Sequence, residues 1–196
     1  MNQTDYREFT DEQLILMLQI DEDIKAFDEI VLRYKDRIIN FIFQYTNNRD
    51  DAEDLAQDSF LKLFRYRDKY KEIAKFSTWF YTIVINTVRN NYNKGKNFIP
   101  VSFEDMDESD LETGDNIYYS DEFDDADEKE KKIECLKKAF DMLDNTFKEI
   151  ILLRYTEGLE YEKISEILGI PSGTVKSRIN RGREHLKNIF VKLYRE

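Results

Sequence analysis

Apolar residues recur at three- and four-residue steps along most of this chain. Ile24, Phe27, Ile30, Val31, Tyr34, Ile38, Phe41, Ile42 and Tyr45 form one such stripe, which predicts a single long helix. Ahead of it, Thr10-Asp11-Glu12-Gln13 has the form of a capping box, opening a short helix with Leu14, Ile15 and Leu18 on its apolar side. Asn47-Asn48 breaks the long helix, and Asp50 is the expected cap of a third. That helix turns Ala52, Leu55, Ser59, Phe60 and Leu63 inward, while Asp54, Gln57, Asp58 and Leu61 point elsewhere. A fourth runs from near Ser77 to about Lys94. Its inner arc holds Trp79, Phe80, Ile83, Val84 and Thr87, which assigns Trp79 to the core, and its polar stripe holds Thr82, Asn86, Arg89 and Asn93. Periodicity stops at Asn97 and resumes at Lys129, with Ile133, Leu136, Phe140 and Leu143, then Phe147, Ile150, Ile151 and Leu153. With only two prolines and six glycines to interrupt it, the chain reads as all-α. Two small helical domains, 1–96 and 129–196, are joined by a linker, 97–128.

Charge sharpens this division. The net charge is −11, yet residues 1–96 carry −2 and residues 129–196 carry +4, so the acidity lies in 97–128, with 13 acidic and no basic residues. Mutual repulsion should keep that segment extended. A chain of 196 residues with 41% hydrophobic content supports one ordinary core or two small ones, not a large substrate-burying barrel. Cys135 and His185 are the sole residues of their kinds. No intrachain disulfide can form, no zinc site has its ligands, and no cofactor or metal is implied. There is no Gly-rich phosphate loop and no Ser/His/Asp arrangement, so no catalytic residues are assigned and an enzyme is not expected. The longest apolar runs are too short to span a membrane, and the N-terminus lacks a secretory layout, which predicts a cytoplasmic protein without membrane insertion.

Near the C-terminus, Tyr161 to Leu168 makes two helical turns, Gly169 supplies a left-handed stop, Pro171 prevents continuation and Ser172 can cap the next helix. The layout is helix-turn-helix. On the second helix Val175, Ile179, Gly182 and Leu186 share one side, and Ser177 and Asn180 project outward between Lys176 and Arg181. Residues 172–196 carry a net +5, which favours DNA phosphate. The candidate contacts there are Ser172, Thr174, Lys176, Ser177, Asn180 and Arg181. A plain helical hairpin with solvated lysines is the bland alternative. Gly173-Thr174-Val175-Lys176-Ser177-Arg178 also resembles the recognition helix of two-component response regulators, so this domain alone leaves two families open.

The N-terminal domain decides between them. Asp51-Ala52-Glu53-Asp54-Leu55-Ala56-Gln57-Asp58-Ser59-Phe60 and Phe76-Ser77-Thr78-Trp79-Phe80-Tyr81-Thr82-Ile83-Val84-Ile85-Asn86 resemble region two of extracytoplasmic-function RNA polymerase sigma factors. Tyr161 to Pro171 and the Gly173 string are similar to region four, so the resemblance covers nearly the whole chain outside the linker. It implies a transcription initiation factor that joins core RNA polymerase through Asp54, Gln57 and Asp58. It also implies that the fourth helix reads a downstream promoter element through Thr82, Asn86, Arg89 and Asn93, and that the loop at Lys75, Phe76, Ser77 and Thr78 captures a nontemplate-strand base. The helix-turn-helix would read the upstream element. The family often carries an acidic residue where Asn90 stands and a basic one where Asn93 stands, so this helix is less charged than the pattern. Residues 62–96 hold a net +7 interleaved with aromatics, a composition suited to single-stranded DNA. Expected partners are core polymerase and promoter DNA, both duplex and nontemplate single strand, with an anti-sigma factor an open candidate. The rival reading is a dimeric helix-turn-helix regulator acting on duplex DNA without polymerase, whose N-terminal half would be a ligand or receiver domain; that half lacks the strand-helix alternation of a receiver fold. The acidic linker, tethered near both basic surfaces, is expected to compete with DNA in the polymerase-free chain.

Overall fold

In the computed structural model, which describes residues 5–95 and 126–195, each of the first four helices begins where a side chain supplies an oxygen for its first amides. α1 (Asp11–Ile20) opens on the capping box: Gln13 N donates to Thr10 Oγ1 at 3.2 Å and Thr10 N to Gln13 Oε1 at 2.8 Å. α2 (Ile24–Thr46) is capped by Asp23 and ends at Asn47, which takes a left-handed conformation with φ 51°. The next residue, Asn48, caps α3 (Arg49–Tyr66), its Oδ1 accepting from Asp50 N at 2.9 Å and Asp51 N at 3.3 Å. Asp50 therefore lies inside the helix, where its charge still suits the positive helix end. α4 (Phe76–Gly95) draws its cap from elsewhere in the fold, Phe76 N donating to Glu12 Oε1 of α1 at 3.1 Å. Gln19 of α1 also holds the α3–α4 connection, its amide donating to the Tyr70 carbonyl at 3.1 Å.

These four helices share one aromatic-rich core. Leu14, Ile30, Ile38, Ile42, Leu63, Phe76, Phe80 and Tyr81 are fully buried. The rings of Tyr34, Phe76 and Phe80 meet edge-on or tilted, with centroids 5.5–5.9 Å apart, a favourable arrangement for aromatic quadrupoles. Arg33 and Tyr34 of α2 both bond Asp11, at 2.8 and 2.6 Å, fixing α1 across α2.

The C-terminal half contains α5 (Ala126–Asp141), α6 (Asn145–Ile151), a π-helical turn (Leu152–Thr156), α7 (Tyr161–Leu168) and α8 (Ser172–Arg195). α5 starts ahead of the expected domain boundary, so Ala126 to Glu128 of the expected linker are helical. Residues 96–125, and with them the expectation that the linker competes with DNA, lie outside the described residues. α8 is the spine of this half, packed by α5, α6 and α7. Gly182 marks its closest approach to α6: a Cβ there would lie 3.1 Å from Ile151 Cδ1 and 3.2 Å from Phe147 Cβ. No strand occurs among the described residues.

The two halves are not held apart. α7 packs against α4, and the end of α6 with the π turn lies against α2, so the buried apolar residues of both halves form one continuous cluster. Helical periodicity identifies which face of each helix is apolar but not which distant helix covers it, and for this reason the contact is absent from the sequence pattern.

Candidate nucleic-acid and polymerase interface

α7 ends at Gly169, whose φ of 67° favours glycine, and Ser165 Oγ donates to the Ile170 carbonyl at 2.6 Å to close the turn. Pro171, not Ser172, holds the cap position of α8: its carbonyl accepts from Val175 N at 3.0 Å. Val175, Ile179 and Gly182 are buried, while Ser172, Lys176 and Asn180 are exposed. Thr174, Ser177 and Arg181 are half-buried, and Ser177 Oγ donates to the Thr174 carbonyl at 3.0 Å. The helix thus has a core side and an open basic side, as its periodicity predicts.

Asp54, Gln57 and Asp58 lie exposed on α3, one turn apart on the side away from its buried Leu55, Ala56, Ser59 and Phe60. Leu61, 57% exposed, extends that side with an apolar residue. An acidic and amide face with one apolar member is suited to a basic partner helix, charge aiding encounter and register.

α4 departs more from expectation. Asn86 and Lys75 are exposed and Ser77 and Thr82 half-buried, with Thr82 Oγ1 donating to the Thr78 carbonyl at 2.9 Å. Phe76, however, is fully buried beneath the α4 N-terminus and is not presented for a base contact. Thr78 is also buried, and its hydroxyl oxygen has no hydrogen-bond partner. Phe76 lies on the same helical row as the buried Phe80, Val84 and Val88, and Glu12 of α1 holds its amide from the side. The side chain of Asn93 lies outside the described residues. The expected aromatic surface is likewise mostly interior: Tyr70, Phe80 and Tyr81 are buried, and Trp79 packs on Tyr70 with centroids 5.3 Å apart, in keeping with its core assignment. Tyr66 remains accessible, with Lys69 Nζ 4.8 Å from its ring centre.

Arg89 is committed within the molecule. Its guanidinium donates to Glu149 Oε2 of α6 at 2.7 Å. Glu149 is buried, and burial raises its pKa above the ordinary carboxylate range although Arg89 and Arg178 of α8 both act to lower it. Beside this pair, Glu157 receives Arg37 Nε at 2.6 Å and the Tyr81 hydroxyl. Burial, then the Glu157 charge, pushes the Tyr81 phenol far above its usual range, so Tyr81 acts as a donor throughout neutral pH. Arg37, Tyr81, Glu149, Glu157 and Arg178 were not among the sequence-derived site residues. One signal was available for Glu149: a carboxylate inside the apolar run Phe147 to Leu153 must be paired if buried.

Among the described residues, no helix is long and apolar enough to cross a membrane. Residues 30–98 match the Sigma-70 region 2 family and residues 133–186 match Sigma-70 region 4, the two modules of a promoter-directing factor. The chain is 34% identical to the ECF RNA polymerase sigma-E factor of Haemophilus influenzae over 92% of its own length and 95% of that protein. It is 31% identical to the RNA polymerase sigma-H factor of Pseudomonas aeruginosa, over 95% of this chain and 96% of that one. Its fold is shared by the sigma factor RpoE in the co-crystal with the anti-sigma factor NepR from Bartonella quintana. That match has a TM-score of 0.61 and 27% identity, covering 84% of this chain and 96% of the other. CnrH in complex with the cytosolic domain of CnrY is similar in fold, with a TM-score of 0.67 at 19% identity, covering 93% of this chain and 97% of that one. The chain belongs to the extracytoplasmic-function sigma factors, a family of non-enzymatic regulators. It binds core RNA polymerase and directs promoter-specific initiation, with polymerase and promoter DNA as its partners.

Proposed function

We propose that the labour of initiation is divided among three faces of this chain. The exposed α3 triad Asp54, Gln57 and Asp58 anchors polymerase. Lys75, Ser77, Thr82, Asn86, Arg89 and Asn93 contact the downstream element and the separated nontemplate strand, with Phe76 and Thr78 shaping the loop from beneath. Ser172, Thr174, Lys176, Ser177, Asn180 and Arg181 contact the upstream duplex. Residues 1–96 and 129–196 are the two functional domains. Catalysis belongs to the polymerase, and the chain works in the cytoplasm beside it. The similar RpoE structure holds an anti-sigma factor, which supports a protein inhibitor for this chain too.

The observation that carries this reading is α8, whose buried Val175, Ile179 and Gly182 leave Lys176 and Asn180 in solvent. The test is co-purification with core polymerase followed by transcription from a matched promoter. Asp54→Lys with Gln57→Ala should lose co-purification at unchanged helicity, and Lys176→Ala or Asn180→Ala should retain it while losing promoter occupancy. A triad variant that co-purifies normally would remove α3 as the anchor. A duplex-only regulator would bind its DNA equally well without polymerase.

A further inference from the structure

α1 reaches the connection between α3 and α4 at both of its ends. Glu12 and Gln19 share one side of α1, two turns apart and ~10 Å along its axis. Gln19 Nε2 donates to the Arg67 carbonyl and, at 3.1 Å, to the Tyr70 carbonyl, where α3 has just ended. Glu12 Oε1 accepts from Phe76 N at 3.1 Å, where α4 starts. Between these fastenings run residues 71–75, with Lys71, Glu72 and Lys75 exposed and Ile73 91% exposed. The connection is braced from within as well. The buried Tyr70 donates its hydroxyl to the Ala74 carbonyl at 2.9 Å, and its ring packs on Phe76 and Trp79 with centroids 6.1 and 5.3 Å away. The feet are held inside the fold and the tip is open. Because Phe76 and Thr78 are buried, the surface left for a separated base is this tip with the half-buried Ser77 beside it.

We propose that Glu12 and Gln19 are positioning residues for capture of a nontemplate-strand base: neither touches DNA, and together they hold the α3–α4 connection in its binding form before DNA arrives. That role rests on the assignment of the connection to the separated strand made above. A short loop whose side chains are mostly in solvent has little packing of its own, so its backbone freedom would otherwise be lost on binding. Fixing both ends beforehand removes much of that loss, and a loop held in one shape can tell one base from another. Each residue suits its place. The Gln19 amide carries two N–H donors and meets two carbonyls, while the Glu12 carboxylate accepts from the first amide of α4 and its charge is favourable at the positive end of that helix. Neither residue lies in the motifs that carry the family resemblance; only the fold brings α1 against the loop.

The test uses the full chain assembled with core polymerase and a pool of short single-stranded oligonucleotides randomised in sequence. The parent assembly should enrich a motif in which one base dominates at the captured position. Glu12→Ala and Gln19→Leu should each reduce that dominance several-fold, and Glu12→Gln, which keeps an oxygen for Phe76 N, should restore it. In the polymerase-free chain, amides of residues 71–75 should exchange hydrogen faster in the two disruptive variants, with helicity and polymerase co-purification unchanged. If a disruptive variant loses helicity, Gln19→Asn, which shortens the reach by one methylene, takes its place and must show both changes. Parent-like dominance in the folded disruptive variants overturns positioning by α1, as does a loss in Glu12→Gln equal to that in Glu12→Ala. A parent assembly that enriches no base refutes the strand assignment itself, and with it this role for α1, even where exchange of the loop still quickens.

Discussion

α4 and α8 are both amphipathic, both carry a net positive charge and both are assigned to DNA, yet they meet the rest of the molecule differently. α8 is packed on one side by α5, α6 and α7 and keeps Lys176 and Asn180 in solvent. α4 is enclosed by its own domain on one side, approached by α7 on another, and gives Arg89 to Glu149. The difference teaches that a polar stripe marks availability for a polar partner without saying whether that partner is DNA or another part of the same chain. On α8 the stripe is open. On α4, one member is already spoken for.

The largest expected effect separates core from contact. Phe76→Ala, removing a fully buried ring under α4, should cost ~3–5 kcal/mol of stability. Urea unfolding measures it, and a loss confined to DNA binding would return Phe76 to the surface and undo the contrast. On α8, Gly182→Ala should cost ~1–3 kcal/mol in the same measurement, because its Cβ would enter the 3.1–3.2 Å contacts with Ile151 and Phe147. A neutral outcome would mean α6 and α8 can separate without strain.

Lys176→Ala or Asn180→Ala on the open side should leave stability within about 0.5 kcal/mol of the parent. Promoter occupancy, measured by footprinting with polymerase present, should fall by ~1–3 kcal/mol if the lost contact is to a base. Asn86→Ala on α4 should produce its loss only in the polymerase-bound state. An equal loss in the free chain would show that α4 is as open as α8.

The smallest effect is on pH. Burial raises the Glu149 pKa, so the folded chain binds that proton more tightly than the unfolded chain, in which the carboxylate meets water. Folding therefore gains from protonation as pH falls and loses that gain as pH rises through the raised pKa. Arg89 from α4 and Arg178 from α8 oppose the shift, which keeps the effect modest. Urea unfolding at neutral and at mildly acidic pH should show a small gain in stability on the acid side that Glu149→Gln abolishes.

Much of the local structure was legible beforehand because it depends on near neighbours in the chain. The Thr10 capping box, the break at Asn47, the Gly169 stop, the inward arc of α4 and the two sides of α8 all follow from residues three or four positions apart. The caps differ from the expected ones by one or two residues: Asn48 caps α3 in place of Asp50, and Pro171 precedes α8 in place of Ser172. The exposed triad on α3 was legible for the same reason as the helix faces.

What the chain pattern left open was decided across long separations. Glu12 caps α4 from 64 residues away, at the turn where Phe76 and Thr78 are buried. Glu157 meets Arg37 over 120 residues and Glu149 meets Arg89 over 60, joining domains that composition alone presents as tethered neighbours. By itself the sequence determined the helices, their apolar faces, the helix-turn-helix and, through its motifs, the family. Which polar side chains stay in solvent and which are spent inside the molecule was settled only by tertiary structure, because a charged residue's partner is set by where the fold brings its opposite charge, and no periodicity encodes that distance.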